Sequence, residues 1–105
     1  MPRALKIDGF RIRLIDVGNT LPELQTAVGG KIEAIAIRDG GAMICDREAL
    51  PKDKPYNNLA SLVAGTGIYG EALIVGENGD SFSDVPDPFI ALLNFPEDYF
   101  NDSET

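Results

Sequence analysis

The sequence predicts an α+β fold: a mainly antiparallel sheet of four to six strands with one firm helix and one or two short helices. Three observations predict it. Residues 20–45 read as a capped helix, a glycine stop and a β-hairpin in succession, so the apolar period switches from helical to alternating at Gly29-Gly30. Asp8-Gly9, Asp39-Gly40 and Asn78-Gly79 each fall between short apolar runs, the local signature of tight antiparallel turns. With 105 residues, 44% of them hydrophobic, the chain can build one core that buries roughly 65% of its unfolded surface. Residues 1–94 are therefore read as a single domain and residues 95–105 as an acidic, aromatic C-terminal tail.

Taken in order, residues 4–7 and 10–15 are two short strands around Asp8-Gly9, with Phe10, Ile12 and Leu14 on one face and Arg11 and Arg13 on the other. Thr20 caps the helix and Glu23, three residues on, reaches back to it; Pro22 sits in the first turn, where its missing N–H costs nothing. Leu21, Leu24, Ala27 and Val28 form its apolar stripe. Residues 31–37 alternate, which predicts a strand buried on at least one side, and residues 42–45 return as its partner. Asp46-Arg47-Glu48 reads as a polar strand exit, and residues 49–55, rich in prolines and charges, as an exposed loop.

Asn57 or Asn58 caps a short helix through Leu59, Ala60, Leu62 and Val63, which Gly65 and Gly67 stop. Residues 71–75 are the most apolar strand and are placed at the sheet centre; residues 76–80 are a turn, and residues 81–84 pair briefly after it. Asp87 caps a last helical turn over residues 89–93, with Pro88 at its first position. In the tail, Phe95, Tyr99 and Phe100 stand among Glu97, Asp98, Asp102 and Glu104. Those rings either fold back onto the domain or anchor a projecting segment; fold-back is favoured because exposed aromatic clusters are uncommon on monomers.

Charge is divided unevenly along the chain. All nine Lys and Arg lie between Arg3 and Lys54, beside eight acids, whereas residues 55–105 carry nine acids and no base. An acidic half repels phosphate backbones, so no direct nucleic-acid binding is expected; it suits a partner with a basic surface. Glu71, Glu77, Asp80 and Asp84 are the candidate partner-binding residues. Arg47, Tyr56, Asn57 and Asn58 are the alternative, a polar loop closing over a small, nucleotide-like ligand. Exposed Arg11, Arg13, Lys52 and Lys54 leave room for a homo-oligomer in which one copy's first half meets the acidic half of another.

Catalytic apparatus is not visible. The chain has no His, and its single Cys45 lies in a predicted strand without a base to activate it. Gly65-Thr66-Gly67 follows a helix rather than preceding one, so it is no phosphate loop. The oxygen-rich run from Glu77 to Asp84 lacks the spacing and closing glutamate of a calcium loop. No enzyme activity, cofactor or metal is expected. One cysteine, no apolar leader after Met1-Pro2-Arg3 and no run approaching roughly 20 apolar residues place the chain as a soluble cytoplasmic protein without a membrane span.

The succession TLPELQTAVGGKIEAIAI, AMICDRE, KPYNNLASLV and GEALIVG resembles the DUF3846 family over residues 5–86. Matching positions are Leu24, Val28, Gly29, Gly30 and Glu33, then Asp46 and Glu48, then Asn57 or Asn58, and Gly70 with Gly76. The exit reads Asp46-Arg47-Glu48 where the family pattern has Asn-Glu. The resemblance implies a small protein of phages, plasmids and bacterial genomes, with no catalytic residue to carry over. It implies a mobile-element accessory protein that binds and modulates a host protein, such as a defence or nucleic-acid-binding factor.

Overall fold

The computed structural model of the chain describes residues 3–9, 11–17, 21–78 and 81–94. The Thr20 cap, Phe10, Asp80, the Gly79-Asp80 turn and the tail with Phe95, Tyr99 and Phe100 lie outside the described residues.

Among the described residues, six antiparallel strands make one sheet. β1 (Arg3–Asp8) and β2 (Arg11–Asp16) form the first hairpin, α1 (Leu21–Val28) follows, and β3 (Ile32–Ala36) and β4 (Gly41–Asp46) form the second. After α2 (Asn58–Ala64) come β5 (Ala72–Asn78), the short β6 (Ser81–Ser83), and α3 (Asp87–Ile90), which runs into a 3-10 turn at Ala91–Asn94. The order across the sheet is β2-β1-β5-β4-β3, so the most apolar run sits at the centre as its composition demands. β1 pairs with β5 at residues 72–74 and β6 with the same edge at residues 76–78, so β6 continues the line of β1. Two bonds seal that junction: Val85 N–H to the Arg3 carbonyl at 2.8 Å and Arg3 N–H to Asp84 Oδ1 at 2.8 Å.

The strand period of two sends alternate side chains to opposite faces, and both faces are covered. Ala4, Ala42, Ile44, Leu73 and Val75 pack with Leu24 and Val28 of α1. Leu5, Ile7, Met43, Cys45 and Ile74 pack on the other side with Leu59 of α2 and Phe89 of α3. The molecule is thus a sheet between α1 on one side and α2 with α3 on the other. All six residues of β4 are buried.

Several local expectations are corrected. β3 is an edge strand whose residues are half-buried or exposed, because only β4 flanks it and α1 covers Ile32 but not Ala34 or Ala36. The Asp39-Gly40 hairpin, by contrast, forms as expected: Arg38-Asp39-Gly40 turns as a 3-10 unit with Asp39 at φ 58° and Gly40 at φ 74°, the paired positive φ values a tight hairpin needs. Glu77 and Asn78, read as turn, belong to β5. Helix α3 starts one residue early: Pro86 holds the N-cap position, and Asp87 stands in the first turn. Residues 49–55 are not simply exposed, since Ala49 is 5% accessible and two of the lysines fold inward.

Candidate functional site

Asn57 builds the site. Its side chain Oδ1 accepts the Ala60 N–H at 3.0 Å and caps α2, while Nδ2 donates to the Ile7 carbonyl at 3.1 Å and the Gly70 carbonyl at 2.9 Å. One buried amide thus ties the end of β1, the start of α2 and the approach to β5 together. Both of its N–H groups are consumed by backbone, so Asn57 shapes the site instead of offering donors to a ligand. Ser61 completes the frame by holding the Ile68 N–H at 2.7 Å and the Ile68 carbonyl at 3.2 Å.

Around that frame lies a cleft of about 580 Å³, walled by residues 8–9, residues 54–58 and residues 70–71. Three of its features carry chemistry. The β1–β5 register pairs Leu5 with Ile74, Lys6 with Leu73 and Ile7 with Ala72, and the carboxylates of Asp8 and Glu71, just past that last pair, both line the cleft. Lys6 reaches Glu71 Oε2 at 3.0 Å, while Asp8 closes no ion pair among the described residues. Tyr56 is 50% exposed at the rim, and Tyr69 supports it edge-on, ring centres 5.1 Å apart at 74°.

Lys54 forms another wall, but its ammonium is committed elsewhere. It donates to Asp46 Oδ2 at 2.8 Å and to the Val28 carbonyl at 3.0 Å, while Lys52 reaches the same Asp46 oxygen at 2.9 Å and the Gly29 carbonyl at 3.3 Å. α1 has no base in its own last turn, so these two lysines, from more than twenty residues further on, cover its free carbonyls. Asp46 also accepts the Glu48 N–H at 2.9 Å. Burial pushes the Asp46 carboxyl up, yet the hydrogen bonds from Lys54, Lys52 and Glu48 outweigh it and hold the group well below the usual carboxylate range. Gly30 permits the arrangement, since a Cβ there would stand 2.6 Å from Asp46 Oδ1.

A family model described as "Domain of unknown function (DUF3846)" matches residues 2–98. The chain belongs to the DUF3846 family. No curated protein and no solved structure matches it.

In this DUF3846 domain the predicted site residues divide. Tyr56, Asn57 and Asn58 share the cleft, and Glu71 joins them there. Arg47 lines a separate 90 Å³ pocket with Cys45, Leu50 and Tyr69. Glu77 lies toward the far end of β5, six residues or roughly 20 Å from Glu71 along the strand, and Asp84 directly follows β6, whose Ser83 pairs with Gly76. Glu77 is exposed there, and Asp84 already holds Arg3; Asp80 lies outside the described residues. Arg11 and Arg13 are exposed on the α1 side, opposite Asp8 and Lys6. The Cys45 thiol sits at 4% accessibility, and its pKa is pushed up to about 11 by burial and the nearby Glu33 and Asp46. Among the described residues no helix is long and apolar enough to cross a membrane. Asp8 was legible only as a turn residue, because its place in the same cleft as Glu71 depends on strand order.

Proposed function

We propose that the protein is a non-enzymatic accessory protein of a phage or other mobile element, acting in the cytoplasm by binding and modulating a host protein. The cleft at residues 8–9, 54–58 and 70–71 takes a cationic side chain from that partner's basic surface. One observation supports this reading most directly: the carboxylates Asp8 and Glu71 and the half-exposed ring of Tyr56 line one 580 Å³ cleft. The lack of any base after Lys54 agrees with it, since long-range attraction of a basic surface follows from that imbalance. Defence and nucleic-acid-binding factors are the partner classes such a surface suits.

Affinity capture of the tagged protein from a bacterial lysate at low salt tests the reading. A captured host protein is expected to be lost in the Asp8→Asn/Glu71→Gln double variant and retained in Glu77→Gln/Asp84→Asn. Equal capture by the first pair and the native chain would sink the proposal. The cleft volume favours one second reading, a small-ligand site, because such sites span roughly 300–1,000 Å³. Thermal-shift screening with nucleotides and small cations separates the two; a ligand at 100 times its Kd adds about 2.7 kcal/mol. The cleft carboxylates disfavour phosphates, so nucleotides are expected to leave the transition unmoved.

A further inference from the structure

We infer that the free edge of β3 takes an extended segment of a basic partner protein as an added strand, with an apolar side chain of that segment in the pocket beside Leu50. It rests on the reading of the chain as one that binds a basic partner, and it does not use the Asp8 cleft. The hydrogen-bond ladder fixes which groups are free. Ile37 N–H donates to the Gly41 carbonyl at 3.0 Å and Arg47 N–H to the Lys31 carbonyl at 2.7 Å, so the odd-numbered residues of β3 bond to β4. The main-chain N–H and C=O groups of Ile32, Ala34 and Ala36 therefore point away from the sheet, and among the described residues no strand pairs with them.

The two edges of the sheet are built differently. β2, the other edge, carries Arg11, Arg13 and Asp16, charges of the kind that keep foreign strands off. β3 has Glu33 as its one charge, no proline, and unbroken register with β4. Ala34 and Ala36 are exposed, and their small side chains leave the approach open. On the opposite face Glu33 and Ile35 share the 90 Å³ pocket with Cys45, Ile68, Tyr69 and Leu50, which is 63% exposed. Strand addition draws affinity from main-chain bonds and specificity from pockets that receive alternate side chains, and β3 offers both. Charge selects the occupant. Lys31 precedes Glu33 by two residues and Arg47 lines the same pocket, yet Glu33 closes no ion pair among the described residues. A cation opposite it on an added strand completes a cross-strand pair. A second copy would bring a net charge of −8 against the same charge, whereas a basic segment is drawn in.

NMR of the full chain with a capped heptapeptide tests this, the peptide having valine, lysine and valine on one face and threonines on the other. In the free chain the amides of Ile32, Ala34 and Ala36 are expected to exchange faster than those of Glu33 and Ile35. The peptide should shift and slow those three and move the Leu50 methyl signals. Methylating the threonine nitrogens, which face β3, should abolish binding, and glutamate in place of lysine should weaken it roughly threefold. Ala34→Lys should lose the peptide while keeping a folded spectrum, and Asp8→Asn/Glu71→Gln should bind it as the native chain does. No response to the peptide, equal binding after methylation, or outward amides already slow in the free chain would overturn the edge site. Shifts confined to Gly70 and Asn58 would overturn it too, but leave the cleft reading standing. Equal binding of the glutamate peptide would overturn the basic partner. Slowing that grows with protein concentration alone, at doubled mass, would assign the edge to a second copy and overturn the partner strand.

Discussion

Lys54 Nζ lies 2.8 Å from the Asp46 carboxylate, eight positions earlier in the chain, although nothing in the spacing of the two residues announces a contact. The pair joins the loop that walls the cleft to the last turn of α1, so the site inherits its rigidity from a buried ion cluster rather than from the loop's own backbone. Breaking the buried partner should be expensive. Asp46→Asn is expected to cost about 3 kcal/mol in urea unfolding at pH 7, because two lysines then lose their counter-charge. Lys54→Ala should cost more than Lys52→Ala, since Lys52 is 40% exposed and solvent screens it.

The same carboxylate gives stability an acid dependence. Its pKa is depressed on folding, so the unfolded chain binds a proton first, and stability present at neutral pH is lost as pH falls below about 4. Urea titrations from pH 6 to pH 2 should show a progressive fall in the native protein and a shallower one in Asp46→Asn. Identical slopes would remove Asp46 as the source.

Adjacent asparagines should behave oppositely. Asn57→Ala deletes a cap and two bonds to buried carbonyls, an expected loss of about 2–3 kcal/mol. Asn58→Ala should fall within about 0.5 kcal/mol in thermal unfolding, as an exposed first-turn residue. A reversed order would mean that Asn58 is the true cap.

Cys45 should be chemically quiet. With its pKa near 11 and its side chain inside the sheet core, the thiolate is scarce at pH 8 and shielded as well. Reaction with a disulfide reagent at pH 8 is expected only at the rate of global opening, rising to that of a free thiol in urea. Stability should also decline as pH rises from about 9 through 11, because the unfolded thiol ionises first.

Gly76 tolerates no side chain. It pairs with Gly41 on one side and Ser83 on the other, and an added Cβ would run into the Asp84 carbonyl and the Ser83 hydroxyl. Gly76→Ala should destabilise by more than about 2 kcal/mol, measured by urea midpoint, through displacement of β6.

How far these features could be read in advance depended on their range along the chain. The α1 boundaries, the Asp39-Gly40 hairpin and the helix after Asn57 were legible because each signal is complete within a few residues. The central place of β5 was legible from Ala72 to Val75, whose unbroken apolar run requires burial on both faces. Asp46 was not, because its environment comes from Lys52, Lys54 and the carbonyls of α1, which meet only once the sheet has closed. The presence of Asp8 and Glu71, sixty-three positions apart, in one cleft likewise needs the pairing of β1 with β5, and no local pattern encodes it. Composition had grouped Glu71 with Glu77 and Asp84, but strand geometry separates them.

β4 and the β1-paired half of β5 are flanked by strands on both edges and roofed by helices on both faces. Their amide protons should therefore exchange with solvent only when the whole chain opens, whereas those of the edge strand β3 escape through smaller fluctuations. The slow set at Met43, Ile44, Leu73 and Ile74 is consequently an internal clock for global unfolding. Against it, slowing at Gly70 or at the turn after α1 when a ligand arrives can be read as local tightening rather than as a general gain in stability.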